Sequence, residues 1–310
     1  MKKKISLGLI GLLLTNHSYA LVDYSESEPS SAPTPVKQIQ ARPAPRAVNT
    51  VTTQAAGRSN YTPSGMFFLQ TEYGSHSVNA GDKKADLQTM KFYGRFETNY
   101  NIFIDATYTM LQTSDSILAE DGGWQQGNPQ ILVGLNWLRF GAPAEMASID
   151  FIGGARMSSS SELGSSRLDK IVGLETSKRF NMFALGLGYE LNLTGTAKEE
   201  SEMKIGNIHH LKASLGWQAS PDIRFAVDGG TVTIGSANEN DTGLVLSEDV
   251  KYSYVSPKLN LGLGPMVSLT MGATFRTRRA KDESQLIAAK LWHLPGLYGN
   301  SLFAGLELSI

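Results

Sequence analysis

The sequence predicts an all-β chain that closes into an antiparallel transmembrane β-barrel, and three observations lead to this fold class. In NMFALGLGYELNLTG, positions 181–195, apolar side chains occupy every second position from Phe183 to Leu193. A period of two is typical of a strand, whose successive side chains point to opposite faces. This alternation also outlasts the average strand of a soluble domain, about five or six residues, and suits a tilted bilayer-spanning strand of about nine to eleven. Finally, short turns and long polar loops alternate along the chain.

The first twenty residues predict a signal peptide. Three lysines at positions 2–4 precede an apolar stretch at 5–14, and the small residue Ala20 suits a cleavage site. The apolar stretch is too short for a membrane-spanning helix, which needs about twenty residues. The chain contains no cysteine, which excludes disulfides, a lipidated N-terminal cysteine and thiol catalysis. We therefore expect export from the cytosol and exclude residues 1–20 from the fold.

Residues 21–64 differ in composition from everything that follows. They are rich in Pro, Ser, Thr and Ala and show no apolar periodicity. Such a composition predicts an extended or disordered segment, here in the periplasm. A flexible tail is one interpretation, and a segment that enters the pore or contacts the cell wall is the other. The barrel domain is then expected over residues 65–310.

Twelve strands are expected in this domain, joined by hairpins. They cover about 66–76, 87–98, 101–113, 129–140, 147–158, 168–179, 181–194, 207–219, 222–235, 249–262, 265–278 and 299–310. The short turns are Asn99-Tyr100, Gly141 to Met146, Phe180-Asn181, Ser220-Pro221 and Leu263-Gly264. The long polar loops are SVNAGDKKAD, SDSILAEDGGWQQGN, SSSELGSSR, TAKEESEMKIG, ANENDTGLVLSED and the stretch 279–298.

The two faces of each strand are predicted to meet lipid and the barrel lumen. A charge on the lipid face costs about 2–4 kcal/mol for Arg or Lys at mid-depth, so the apolar set should face lipid. Leu185, Leu187, Leu215 and Val227 belong to that set. The residues expected to line the lumen are Lys91, Arg95, Asp105, Asp150, Arg156, Glu175, Arg179, Glu190, Lys212, Arg224, Asp228, Arg276 and Glu307, together with Glu72, Glu97 and Lys258. Eight cations thus oppose eight anions.

Three local features complete the expected barrel. Aromatic residues at strand ends suit interfacial girdles: Tyr73, Tyr100, Trp137, Phe140, Phe180, Tyr189, Trp217 and Tyr252. The alternation slips within 249–262, so a bulge is expected near Val255–Pro257. Residues 282–294 are apolar at helical spacing, which predicts a short helix capped by Asp282 or Ser284 and stopped by Pro295.

With these features the sequence resembles the bacterial, Gram-negative outer-membrane β-barrels of the porin-like type, over nearly all of residues 65–310. The resemblance implies short periplasmic turns, long external loops and an even number of strands. It also implies an outer-membrane location after signal-peptide export, with outer-membrane lipid and the barrel-insertion machinery as partners. The final strand SLFAGLELSI alternates as the family's strands do, but such barrels commonly end in an aromatic residue, and Ile310 stands here instead.

The chain carries few signs of catalysis or of other ligands. A net charge of −1 and the absence of a Lys/Arg block give no indication of nucleic-acid binding. No cofactor or metal motif stands out, and neither His76-Ser77 nor His209-His210 forms the His-x-Ser pair of outer-membrane lipases. We therefore expect no enzyme and no cofactor, although a barrel enzyme stays an alternative class. The balanced lumen charges favour a narrow, weakly selective channel for small solutes. A structural or adhesive barrel that acts through its external loops or N-terminal tail is the alternative.

Overall fold

The computed structural model describes residues 65–80, 83–98, 100–114, 118–120, 122–141, 145–198, 203–238 and 245–309. The expected signal peptide, the segment 21–64 and Ile310 lie outside the described residues. The strands are β1 (Gly65–Ala80), β2 (Lys83–Thr98), β3 (Ile102–Thr113), β4 (Gln125–Gln126), β5 (Gln130–Phe140), β6 (Ala147–Arg156), β7 (Asp169–Phe180), β8 (Phe183–Leu193), β9 (Lys204–Ile205), β10 (Ile208–Ser220), β11 (Ile223–Ile234), β12 (Ala237–Asn238), β13 (Val245–Ser247), β14 (Val250–Gly262), β15 (Val267–Arg278) and β16 (Ser301–Ser309). The helix α1 (Glu283–Ala288) lies between the last two strands.

Twelve of these strands form a closed antiparallel barrel, which confirms the predicted fold class. The ring runs β1, β2, β3, β5, β6, β7, β8, β10, β11, β14, β15 and β16, and β16 pairs back onto β1. That closing ladder extends from Phe68 opposite Ser309 to His76 opposite Ser301. Closure gives each of the twelve strands a paired neighbour on both sides, as a barrel within lipid requires.

The first hairpin is longer than expected. SVNAGDKKAD, residues 77–86, reads as a polar loop, but β1 continues to Ala80 and β2 begins at Lys83. Val78 pairs with Ala85 across the two strands, and both side chains are buried. The loop prediction was wrong because these small apolar residues pack into an apolar cluster at the external end of the barrel.

The outer surface of the barrel is an apolar belt. Leu187 is 64% exposed, and Leu185, Leu215 and Val227 are exposed as well. Aromatic residues near the strand ends are also exposed on this surface: Tyr100, Trp137, Phe140, Phe180, Tyr189 and Trp217. A large exposed apolar surface of this kind is the one that a lipid bilayer covers.

Strand β14 differs from the prediction in two ways. Tyr252 is fully buried, so its assignment to an aromatic girdle was wrong. The irregularity against β15 lies between Ser253 and Tyr254 and not near Val255–Pro257. The tyrosines share the buried face with Lys258, so the alternation does not slip. A position that faces the barrel interior accepts an aromatic ring here because the external half of that interior is apolar.

Small elements decorate the external end. β9, β12 and β13 form a separate three-stranded sheet, and β4 adds two residues beside β3. Among the described residues, no helix is long and apolar enough to cross a membrane.

Candidate functional site

The last external connection, residues 279–300, folds into the barrel, and we call it the plug. The sequence predicts a helix over 282–294, but α1 covers only Glu283–Ala288. The helix ends because Lys290 adopts a positive φ of 53°, which a continuing α-helix does not allow. Asp282 occupies the N-cap position without a side-chain cap, and its carboxylate instead accepts a 2.8 Å hydrogen bond from the Ser284 hydroxyl.

The plug packs an apolar cluster into the external half of the barrel interior. Its buried side chains are Leu286, Leu291, Leu294, Leu297 and Tyr298. Inward-facing residues near the external strand ends surround them: Val78, Leu87, Leu111, Ile208, Val232, Ile234, Val250, Tyr252 and Tyr254. Burial of these apolar side chains away from water stabilises the inserted position of the plug.

A charged cluster on the barrel wall contacts the plug at His293. Arg156, at the external end of β6, forms a buried ion pair with Asp169 of β7. The same guanidinium contacts the His293 ring, with Arg156 Nη1 2.9 Å from His293 Nε2. A guanidinium can only donate, so the ring nitrogen that accepts this bond carries no proton. Burial and the nearby Arg156 charge hold the pKa of His293 well below its usual range.

Further hydrogen bonds tie the plug to its surroundings. Arg167, in the loop between β6 and β7, donates from Nη2 to the Ala289 carbonyl oxygen at 2.9 Å. The Trp292 indole donates to the carbonyl oxygen of Leu163 in that same loop. Arg276 of β15 donates to the Leu297 carbonyl at 2.9 Å and to the Glu283 carboxylate at 2.8 Å. The plug is therefore anchored to both the wall and a neighbouring loop.

Below the plug lies a cavity with a volume of about 130 Å³. Strands on opposite sides of the barrel supply its walls, and the plug residues His293, Leu294 and Pro295 bound it on the external side. The side chains that carry charge or hydrogen-bonding groups along its walls include Lys91, Thr107, Gln130, Glu175, Glu190, His210, Lys212, Ser214, Asp228, Tyr254, Ser256 and Lys258.

Two of the lysines that line the cavity are paired with its carboxylates. Lys212 Nζ lies 2.7 Å from Glu190 Oε2 and 3.2 Å from Glu175 Oε1. Lys258 pairs with Asp228 on the adjacent strand. These contacts are typical of buried charges, which are retained in proteins mainly as hydrogen-bonded pairs.

A third group occupies the end of the barrel opposite the plug. The Arg95 guanidinium lies 3.8 Å from the centroid of the Phe103 ring, 2.9 Å from Glu97 and 3.7 Å from Asp105. The Phe103 ring lies against Gly134, where any Cβ would overlap it. Gly134 is therefore required for the ring, and through it for the Arg95 side chain.

The structure thus separates the predicted lumen residues into three levels. Arg156 and Arg276 contact the plug, while Lys91, Glu175, Glu190, Lys212 and Asp228 line the cavity. Arg95, Asp105, Asp150, Arg179, Arg224 and Glu307 lie toward the opposite end of the barrel. Asp105, Arg179 and Arg224 are buried there, Ser148 donates to the Asp150 carboxylate at 3.4 Å, and Arg179 donates to the Asn181 carbonyl at 3.2 Å. That these residues line a conducting pore stays a prediction.

Sequence reasoning missed the residues that hold the plug. Strand alternation does not predict His293, Arg167 or Trp292, because these three lie in external connections. Asp169 begins β7 and has the same inward parity as Glu175, so the alternation could have indicated it. One signal was available in LWHLPGLYG, residues 291–299, which is too apolar for a solvated loop. Apolar residues in an external loop indicate that the loop is buried against something, here the inside of the barrel.

No protein-family model matches the chain, and no curated protein sequence matches it. Solved structures do match. The COG4313 outer membrane channel from Pseudomonas putida F1 aligns over 84% of this chain and 100% of its own, with a TM-score of 0.58 and 10% identity. The NanC porin aligns over 78% and 98%, with a TM-score of 0.47 and 10% identity. OmpF of Salmonella typhi, in complex with daunomycin, aligns over 79% and 97%, with a TM-score of 0.37 and 9% identity. The first of these likenesses shows that the chain has the fold of an outer-membrane β-barrel.

Proposed function

We propose that this protein is a narrow, weakly selective outer-membrane channel for small solutes whose external end the plug closes. The observation that carries the proposal is that a charge-lined region and an apolar region lie one above the other inside the barrel. A polar, charge-lined cavity lies directly beneath an apolar plug that hydrogen bonds hold in place. A solute path lined by polar groups and interrupted by a displaceable segment is the simplest use of this arrangement.

The apolar outer surface of the barrel supports the proposed location in the outer membrane. The apolar belt around Leu187 matches the lipid-facing band of such barrels, which stands about 25 Å tall. Export by the signal peptide at residues 1–20 belongs to the same proposal. So does insertion by the barrel-insertion machinery.

Narrowness follows from the strand number and the side chains within. Twelve strands enclose less space than the sixteen to eighteen of wide porins, and long Lys and Arg side chains occupy part of it. Weak selectivity follows from the pairing of charges, because rings of like charge are what select one ion sign. Lys212 between Glu175 and Glu190 is such a neutralised group.

The plug supports gating of the channel. Its contacts with Arg167 and Arg276 are hydrogen bonds to backbone carbonyls and to the Glu283 carboxylate, and its apolar side chains pack without covalent links. Displacing such a segment costs packing and hydrogen-bond energy but leaves the twelve-strand ring intact.

The test is conductance in planar bilayers. We expect small or rare steps from the full chain and larger, sustained steps when residues 283–298 are replaced by a short Gly/Ser linker. The matched control puts the same linker in place of residues 239–244, outside the plug, and should conduct like the full chain. A variant without residues 21–64 tests whether that segment also narrows the path, in which case its removal enlarges the steps.

A result without conductance in all four proteins would overturn the channel function. The structural or adhesive barrel would then be the better interpretation. Its mark is loss of adhesion when the external loops or residues 21–64 are removed, with no change in permeability.

A further inference from the structure

We propose that the cavity beneath the plug is a binding site for an uncharged, polyhydroxylated solute of monosaccharide size. The inference rests on the proposed channel function, because this solute is the cargo that the barrel would admit. It specifies a ligand class and a place of binding, neither of which follows from the barrel fold.

The dimensions of the cavity suit such a ligand. Its volume of about 130 Å³ is close to that of an engineered cavity of about 150 Å³ that holds a benzene ring, so it accommodates a solute built on one six-membered ring. The strands that carry Lys91, Glu175 and Lys258 surround the site, and Pro295 of the plug bounds it externally. A solute held there contacts the wall on several sides.

The charges of the cavity exclude a strong preference for either ion sign. Among the described residues that line it, three lysines stand against three carboxylates: Lys91, Lys212 and Lys258 against Glu175, Glu190 and Asp228. The Lys212 and Lys258 ammonium groups contact these carboxylates directly, and Lys91 lies opposite Glu72 on the neighbouring strand. A solute with a net charge would lose its hydration here and meet wall charges that are already neutralised.

Hydroxyl groups fit the same walls. A lysine ammonium only donates and an ionised carboxylate only accepts, whereas a hydroxyl does both. A polyhydroxylated ring can therefore bond to both members of the Lys212–Glu190 pair without adding charge, and bonds to ionised partners are the stronger kind. The Tyr254 side chain and Pro295 add apolar wall for the C–H faces of such a ring.

Three sugars of one ring type provide the test, because they differ mainly in charge: glucose, glucuronate and glucosamine. We expect isothermal titration calorimetry on the detergent-solubilised full chain to show glucose binding. Both charged sugars, at a pH where each is ionised, should bind about tenfold more weakly, which corresponds to about 1.4 kcal/mol. Tighter or equal binding of either charged sugar, or no binding by glucose, would overturn the inference.

Two variants make the test independent of any general effect on folding. Glu190→Gln leaves three lysines against two carboxylates and should strengthen glucuronate binding about tenfold. Lys258→Gln makes the opposite change and should strengthen glucosamine binding instead. Lys204→Gln, at an exposed external position, should alter neither glucuronate binding nor glucosamine binding. The charge-balance argument would be contradicted if Glu190→Gln and Lys258→Gln changed the affinity for the same charged sugar in the same direction while both proteins kept their heat-modifiable gel migration.

Calorimetry does not require conduction, so the two proposals fail separately. If the plug-replaced protein conducts but no variant binds glucose, the channel function stands and the ligand class is wrong. If glucose binds and no variant conducts, the cavity is a binding site in a barrel that does not transport.

Discussion

The Arg167 Nη2 donates a 2.9 Å hydrogen bond to the carbonyl oxygen of Ala289, so a fully buried guanidinium caps the end of the plug helix. The two residues lie on different external connections. A cation at this position satisfies a carbonyl that the ended helix leaves without an intrahelical partner. The contact therefore couples the position of the plug to the loop between β6 and β7.

Replacing Arg167 by leucine should loosen the plug. The buried Ala289 carbonyl loses its partner, which costs about 1–3 kcal/mol. We expect more frequent opening and larger current in planar bilayers, with the barrel still assembled. Arg279→Leu, at an exposed position of the plug, is the matched control and should leave the current unchanged. Equal currents from both variants would show that this bond does not hold the plug.

Acidification should open the channel through His293. The pKa of this ring is held well below its usual value of about 6.5 in the closed plug, so the neutral form stabilises that state. This stabilisation of the closed plug is complete above about pH 6.5 and is lost as the pH falls toward the lowered pKa. The reason is that the histidine of a displaced plug has the higher pKa and binds a proton at a higher pH than the buried ring does. The charged or titratable groups that act on the ring are Arg156, Glu190, His210 and Lys91, of which only Glu190 favours protonation.

The measurement is current as a function of pH for the full chain and for His293→Gln. We expect the current of the full chain to rise on acidification, since a protonated ring is repelled by Arg156. The glutamine variant does not titrate and should show a smaller rise. An identical pH dependence in both proteins would assign the effect to other groups.

Leu187→Arg should block assembly of the barrel. Leu187 lies in the middle of β8 and is 64% exposed, and an Arg at the bilayer midplane costs about 2–4 kcal/mol. Heat-modifiable gel migration after refolding into lipid vesicles gives the folded fraction. The control is Leu187→Ala, which keeps the position apolar. Normal insertion of the arginine variant would contradict the assignment of this face to lipid.

Gly134→Ala should destabilise the barrel because its Cβ overlaps the Phe103 ring. Overpacking of this kind costs about 1–3 kcal/mol, and the shifted ring also disturbs the Arg95 guanidinium above it. The temperature at which gel migration changes should fall. Gly94→Ala is the matched control, since nothing lies within 4 Å of its added Cβ. Combining Gly134→Ala with Phe103→Leu should restore part of the loss.

The barrel could be predicted almost completely from the sequence. The alternation from Phe183 to Leu193, and in the other strands, separates a lipid-facing side of each strand from an interior-facing side. A charged side chain on the lipid-facing side is costly in a bilayer. The number of strands and the exposed position of Leu187 follow from this local rule. The first hairpin departed from prediction because Val78 and Ala85 gain their burial from residues distant in the chain.

The site required the tertiary structure. Periodicity indicates that Lys212, Glu175 and Glu190 share a face, but not that they meet across β8. Nor does it place His293 beside Arg156, which precedes it by more than a hundred positions. The sequence by itself determined the wall, because each strand position meets lipid or interior according to its own parity. Only the tertiary structure decided what fills the interior, because the plug is held by contacts between groups that the closing of the barrel brings together.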